Sequence, residues 1–221
     1  MGKGELAMNF IHPTAYVDVM VKLGDNNYIG PFCHLTGELT VGDNNRFEGH
    51  CSIGTRPEHK EYWHKNGELK IGNNNIFREF VTINAGTTTP TEIHNDIIML
   101  RGSHVAHDCI IEDGVTLSVG AIILGHVHVM KESNCGSGCV IHQHQVIGSW
   151  SMIGMGAVVP KKTLVEPGKV WVGNPAKILR DNTYLTKNIV HGVMAHQKLR
   201  WKDAISHHIN NEKKKCLILA Y

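Results

Sequence analysis

Every sixth residue from Ile11 is apolar: Val17, Leu23, Ile29, Leu35, Val41, Phe47 and Ile53 follow in turn. The phase resumes at Ile71, Phe77 and Ile83, then shifts and restarts at Met99. From there it runs through Val105, Ile111, Leu117 and Ile123 to Val159, Val165 and Trp171, giving 24 anchors without one polar member. At 42% hydrophobic composition that regularity is not chance. A period of six fits neither a helix nor a plain strand. It is the hexapeptide signature of a parallel β-helix, in which three hexads close one triangular coil. The position two before each anchor also points inward, where only a small side chain fits. Ala15, Cys33, Cys51, Ser103, Cys109, Ala121 and Cys139 occupy that column. Corners call for left-handed backbone, which glycine and asparagine adopt at least cost, and GDNNYIG, GDNNRFEG and IGNNN supply both.

The fold class predicted is therefore mainly β. Such coils resemble the left-handed parallel β-helix family, and the hand is what that resemblance implies. The solenoid is expected over residues 10–176, with excursion loops near 54–70 and 85–96. Long loops leaving a rigid scaffold tend to carry function. After Trp171 the beat stops. Leu185, Ile189, Met194, Leu199, Ile205 and Ile209 recur at helical spacing, predicting a helical cap over 177–212 that covers the open end of the solenoid, with 213–221 as a tail.

Charge adds mainly exclusions. Lys+Arg 22 against Asp+Glu 20 leaves no basic stripe for nucleic acid. No apolar run is long enough to span a membrane, and MGKGELAMNF lacks a signal-peptide core. A cytoplasmic protein is expected, with the inward cysteines as reduced, buried thiols. Cys216, in the tail, has no assigned role.

The sixteen histidines change the picture. In HVAHDC (104–109), His104 lies between inward positions and faces out, and His107 and Asp108 face out or lie along a corner. Coils stack about 4.8 Å apart, so positions three hexads apart lie above one another. His107 then stacks under Gly125 and Gln143, and Asp108 under His126 and His144, with His104, His128 and His142 nearby. One chemistry for such an edge is a metal site. The β-helix fold hosts the γ-type carbonic anhydrases, whose zinc ligands include two histidines five residues apart. His59/His64 and His191/His196 have that spacing but lie off the edge, while Glu112, Lys131 and Ser149 stand five after His107, His126 and His144. No metal is expected on that ground. The other chemistry is general-base catalysis: a histidine held by an aspartate, with the Gly125 N–H as an oxyanion donor. No serine or cysteine in the cluster is poised as a nucleophile, so direct acyl transfer without a covalent intermediate is expected.

IHPTAYV (11–17), IGPFC (29–33), REFVTIN (78–84) with Gly86-Thr87, HVAHDC, GHV (125–127), IHQ (141–143) and GNPA (173–176) together resemble one family closely. It is the acyl-carrier-protein-dependent UDP-N-acetylglucosamine O-acyltransferases of lipid A biosynthesis. The resemblance implies that His107 takes the proton from the sugar 3-hydroxyl, Asp108 orients it and Gly125 stabilises the oxyanion. It implies that His104, His126, His142, Gln143 and Tyr62 contact the nucleotide sugar. Met155 and Gly173 would belong to the acyl-chain groove, with Met155 filling it and shortening the 3-hydroxyacyl group accepted. The donor implied is an acyl carrier protein bearing phosphopantetheine, with no bound cofactor, and the assembly implied is a homotrimer with its sites between subunits. The sequence departs from the family at Ala85, where an arginine is usual, and at His59, where an aspartate is usual. VWVGNPAK (170–177) resembles the hexapeptide acetyltransferases instead, whose donor is acetyl-coenzyme A and whose acceptor is an amino sugar.

Overall fold

The computed structural model describes residues 8–62, 64, 67–183, 196–207 and 210. Short strands wind into three parallel faces of ten, eight and seven strands, the ten-stranded face ending in one antiparallel strand. The register is the coil of three hexads: Ile11 pairs with Ile29, and Ile29 with Phe47. Anchors stack on anchors up the axis, and each one from Ile29 to Trp171 is at most 7% exposed. Each such Ile, Leu, Val or Phe contributes about 1.5–3 kcal/mol by leaving water. Ile11 is 44% exposed, since among the described residues no coil lies beneath it.

The small inward column also carries hydrogen bonds. Asn27, Asn45 and Asn75 are buried, and their Oδ1 atoms accept from the backbone N–H of Asn45, Asn75 and Ile97 at 2.9, 3.0 and 2.8 Å. This ladder satisfies polar groups that a buried corner would otherwise strand.

Two expectations on the excursions are corrected. The first runs only between Ser52–Thr55 and Glu68–Ile71, and the second between Thr82–Asn84 and Thr91–Ile93. Residues 91–93 are a strand of the seven-stranded face, with Ile93 1% exposed, so Ile93 is an anchor that the six-residue count passes over. The register explains why. Phe47 pairs with Phe77, five hexads on instead of three, so the first loop adds two whole hexads and the phase survives. Phe77 pairs with Met99, between three and four hexads on, so the second loop adds only part of a hexad and breaks the phase. Both loops leave the same corner, where the eight-stranded face turns into the seven-stranded one.

The expected helical cap over 177–212 is also revised. Lys177–Asp181 is a strand, antiparallel to Lys169–Val172, and it covers the last edge of the ten-stranded face. A helix spans 196–207, and it lies against the side of the solenoid. Its Trp201 packs with Met130 and Val146, joined by Ala204 and Ile205. Arg200 reaches Glu112 at 2.9 Å, and Ser149 donates to Gln197 at 3.0 Å. Leu199, expected on the apolar stripe, is 61% exposed. Leu185, Ile189, Met194 and Ile209, like the 213–221 tail, lie outside the described residues.

Candidate functional site

The corner from which both excursions leave also carries the histidines. On successive coils it presents Asp108, His126 and His144, each with left-handed backbone, φ 58°, 60° and 61°. The same left-handed backbone recurs at other corners of the solenoid, at Asn26, Asn44 and Asn74 and at Phe32, His50 and Phe80, so it is the turn geometry of the coil that stacks these three side chains. Gly125 follows His107 in the stack, as the coil length predicts. The His126 N–H donates to the His107 carbonyl and the His144 N–H to the Gly125 carbonyl, both at 3.0 Å. The rings of His107 and His126 meet edge-on at 5.1 Å, and those of His126 and His144 stack at 4.5 Å.

His107 Nδ1 lies 2.6 Å from Asp108 Oδ2. Of the two placements expected, facing out or lying along a corner, the corner holds, and there both are covered, 7% and 6% exposed. The cover is the second excursion, which folds over the coil above it. Thr88 and Thr89 give backbone N–H bonds to Asp108 Oδ1 at 3.0 and 2.8 Å, and the Thr87 hydroxyl donates to Oδ2 at 2.6 Å. The Thr89 hydroxyl adds 2.9 Å to Oδ1. Burial pushes the Asp108 carboxyl up, but the bonds from His107, Thr87 and Thr89, with His126 adding favourable charge, outweigh it. They hold the carboxyl well below the usual carboxylate range. An ionised carboxylate only accepts, so in the neutral ring His107 Nδ1 carries the proton and Nε2 has the lone pair.

Gly125 stands against that lone pair. A Cβ there would lie 2.7 Å from His107 Cε1 and 2.9 Å from Nε2, so only glycine fits. Among the described residues no hydrogen bond occupies the Gly125 N–H. The arrangement sets the Nε2 edge of His107 against a backbone N–H one coil away.

The other predicted residues divide. His104 is on the eight-stranded face, its Nδ1 2.8 Å from the Thr82 hydroxyl, and burial pushes its pKa down. His142 and Gln143 lie on the next coil but one, with His142 Nδ1 3.1 Å from the Gln143 carbonyl. Tyr62 arrives on the first excursion and packs on His59, ring centroids 5.1 Å apart. Met155 and Gly173 are not brought to this corner. Met155, 82% exposed, follows Met152–Ile153 at the corner between the ten- and eight-stranded faces, and Gly173 stands one coil above it.

Two contributions escaped the sequence reading. The Thr87-Thr88-Thr89 run is the cradle of Asp108, signalled only by three hydroxyl residues in an excursion. His59 lies edge-on to His107 at 5.6 Å, which no spacing could show. His107, Asp108 and His126 also bring ligand-type atoms within 4.8 Å of one another. The 2.6 Å His107–Asp108 separation is a hydrogen-bond length. Two ligands each about 2.0–2.1 Å from one tetrahedral ion stand farther apart than that.

No family model matches the chain. An acyl-[acyl-carrier-protein]–UDP-N-acetylglucosamine O-acyltransferase from Stenotrophomonas maltophilia is 36% identical over 193 residues, 76% of this chain and 73% of the relative. One from Xanthomonas axonopodis matches with the same identity and coverage. Among solved structures, the UDP-N-acetylglucosamine acyltransferase from Campylobacter jejuni superposes with a TM-score of 0.78 at 26% identity, covering 88% of this chain and 77% of that one. The Francisella novicida enzyme gives 0.71 at 29% identity, covering 87% and 79%. Fold and site thus define an acyltransferase built on a left-handed parallel β-helix. Within that class, the chain belongs to the acyl-[acyl-carrier-protein]–UDP-N-acetylglucosamine O-acyltransferase family.

Proposed function

We propose that this protein moves a 3-hydroxyacyl group from an acyl carrier protein to the 3-hydroxyl of UDP-N-acetylglucosamine, with His107 as general base. The observation that carries the mechanism is the His107 Nδ1–Asp108 bond of 2.6 Å to a carboxylate already fixed by three threonines. It leaves Nε2 as the acceptor. The sugar oxygen loses its proton to Nε2 as it attacks the thioester carbonyl. The Gly125 N–H receives the oxyanion. The carbon–sulfur bond then breaks, and the imidazolium returns the proton to the phosphopantetheine sulfur. No acyl-enzyme forms: Cys109 is fully buried and burial raises its thiol pKa to about 12. His104, His126, His142, Gln143 and Tyr62 bind the nucleotide sugar around this centre.

The corner that holds Met155 and Gly173 supports a homotrimer. If Met155 closes the acyl groove beside His107, a second copy must supply it, because one chain places them on different corners. The same corner carries an exposed stack, Phe32 on His50 at 4.9 Å and His50 on Phe80 at 5.0 Å. Phe32 and Phe80 are 57% and 55% exposed with left-handed φ of 56° and 64°, a strained apolar display that suits contact with another copy. Among the described residues no helix is long and apolar enough to cross a membrane. Five buried free cysteines suit a reducing cytoplasm.

The test is product mass. UDP-N-acetylglucosamine with a ladder of 3-hydroxyacyl carrier proteins should give a 3-hydroxyacyl ester, and His107→Ala should abolish it. An acetylated amino sugar from acetyl-coenzyme A, with no ester, would overturn the assignment.

A further inference from the structure

Thr91 is 0% exposed and faces the axis of the solenoid, two residues before the Ile93 anchor. Leu69 lies beside it in the coil before and Cys109 in the coil after. Neither neighbour asks for a hydroxyl, and a buried hydroxyl is costly unless it is bonded. Its oxygen accepts a hydrogen bond from the Asp108 N–H at 2.8 Å.

Other corners of the solenoid show what that bond replaces. At a left-handed corner the N–H donates to a backbone carbonyl of the coil before. Asn44 bonds the Asp25 carbonyl at 2.9 Å, Phe80 that of Gly49 at 3.0 Å, Glu132 that of Asp113 at 2.9 Å and His126 that of His107 at 3.0 Å. Before Asp108 the coil is interrupted by the second excursion, and among the described residues no backbone carbonyl takes its N–H. The Thr91 hydroxyl stands where that carbonyl would be. Phe32 shows that a threonine can serve this way, its N–H bonding the Thr14 hydroxyl at 3.1 Å, but that pair is exposed and the Asp108–Thr91 pair is buried.

The peptide that Thr91 holds is the one joining His107 to Asp108. Its other side, the His107 carbonyl, accepts the His126 N–H. The peptide is gripped from the coil after and from the exit of the excursion. Two adjacent side chains meet at 2.6 Å only while the peptide between them keeps its plane. Without the Thr91 oxygen the Asp108 N–H would be buried and unpaired, and turning the peptide would relieve it. That turn would carry the His107 ring away from Asp108 Oδ2 and from Gly125. We propose that Thr91 is a positioning residue for the acyl transfer: its hydroxyl replaces the missing corner carbonyl and fixes the base and its carboxylate relative to each other. This rests on His107 being the general base.

Steady-state acyl transfer by the full chain, with a thermal melt of each sample, tests it. Valine has the shape of threonine without the acceptor, and Val127 already fills the same inward column two coils on. Thr91→Val should lower kcat about tenfold to a hundredfold, as misplaced reacting groups do. The KM for UDP-N-acetylglucosamine should stay within about twofold, because Thr91 reaches the substrate only through Asp108. Thr91→Ser keeps the oxygen and should hold kcat within about threefold of the parent. If Thr91→Val unfolds, Thr91→Cys decides in its place, since a thiol fits the column as Cys109 does but accepts only weakly. In an Asp108→Asn background, Thr91→Val should lower kcat by no more than about twofold further, since both act through one pair. A folded Thr91→Val within about threefold of the parent kcat, an equal loss in Thr91→Ser, or an undiminished loss in the Asp108→Asn background would each overturn the proposal. Failure of His107 as the base is read separately, as retained ester formation by His107→Ala.

Discussion

Asp108→Asn isolates the tautomer argument. The substitution keeps the shape of the side chain and exchanges one acceptor oxygen for an amide donor. Oδ1 faces two backbone donors, the N–H groups of Thr88 and Thr89 at 3.0 and 2.8 Å, which cannot turn away. The amide nitrogen is therefore better placed at Oδ2, where the Thr87 N–H is shared with Oδ1 at 3.2 Å, the Thr87 hydroxyl can rotate and His107 Nδ1 can change state. An NH2 at that position needs an acceptor, so the imidazole proton moves to Nε2 and the base is lost. General-base catalysis contributes about 10²–10⁴-fold, and kcat should fall by that factor. Loss of charge-assisted bonds should cost about 1–3 kcal/mol of stability, leaving the fold intact. The assay is single-turnover acyl transfer across pH, with a thermal melt of the same sample. A kcat within about threefold of the parent, in a folded variant, would refute the assignment of Nε2 as base.

Gly125→Ala should abolish turnover, because a methyl group 2.9 Å from His107 Nε2 must displace the ring that Asp108 fixes; retained activity would mean that the acceptor approaches from elsewhere. Met155→Gly should lengthen the 3-hydroxyacyl chain accepted, read as a shift in product mass on a carrier-protein ladder, and an unchanged preference would remove Met155 from the groove. Light scattering of the parent should report three copies of the 24.5 kDa chain, and Phe80→Asp should reduce that mass and activity together. Glu112 gives a stability signature in acid. Burial raises its carboxyl pKa, but the His128 hydrogen bond and charge, the Lys131 N–H and Arg200 outweigh it and bring it to about 2. Its folded pKa is depressed, so its contribution is complete above the unfolded value, about 4.3, and is lost as pH falls through about 2. Denaturation followed from pH 5 to 2 should show stability falling, and Glu112→Gln should flatten that slope; identical slopes would show that the pairing with Arg200 and His128 contributes nothing.

The solenoid was legible in the sequence because its rule is local and periodic. An inward apolar residue every sixth position fixes the faces, and a constant coil length fixes which residues stack. His107 under Gly125, and Asp108 under His126, follow by counting alone. Counting fails where a loop adds residues that are not whole hexads, which is why the six-residue beat reaches Ile71, after a loop of two hexads, and passes over Ile93. It fails again at Lys177–Asp181, where the chain reverses and pairs antiparallel instead of continuing the coil or turning helical. What surrounds His107 was decided only by tertiary structure. The Thr87–Thr89 cradle, the approach of His59 and the docking of Arg200 on Glu112 join residues whose separations follow no period. A repeat determines the backbone on which side chains are hung. The loops that leave it are placed by three-dimensional contact, and here they bury Asp108 and so set the proton on His107.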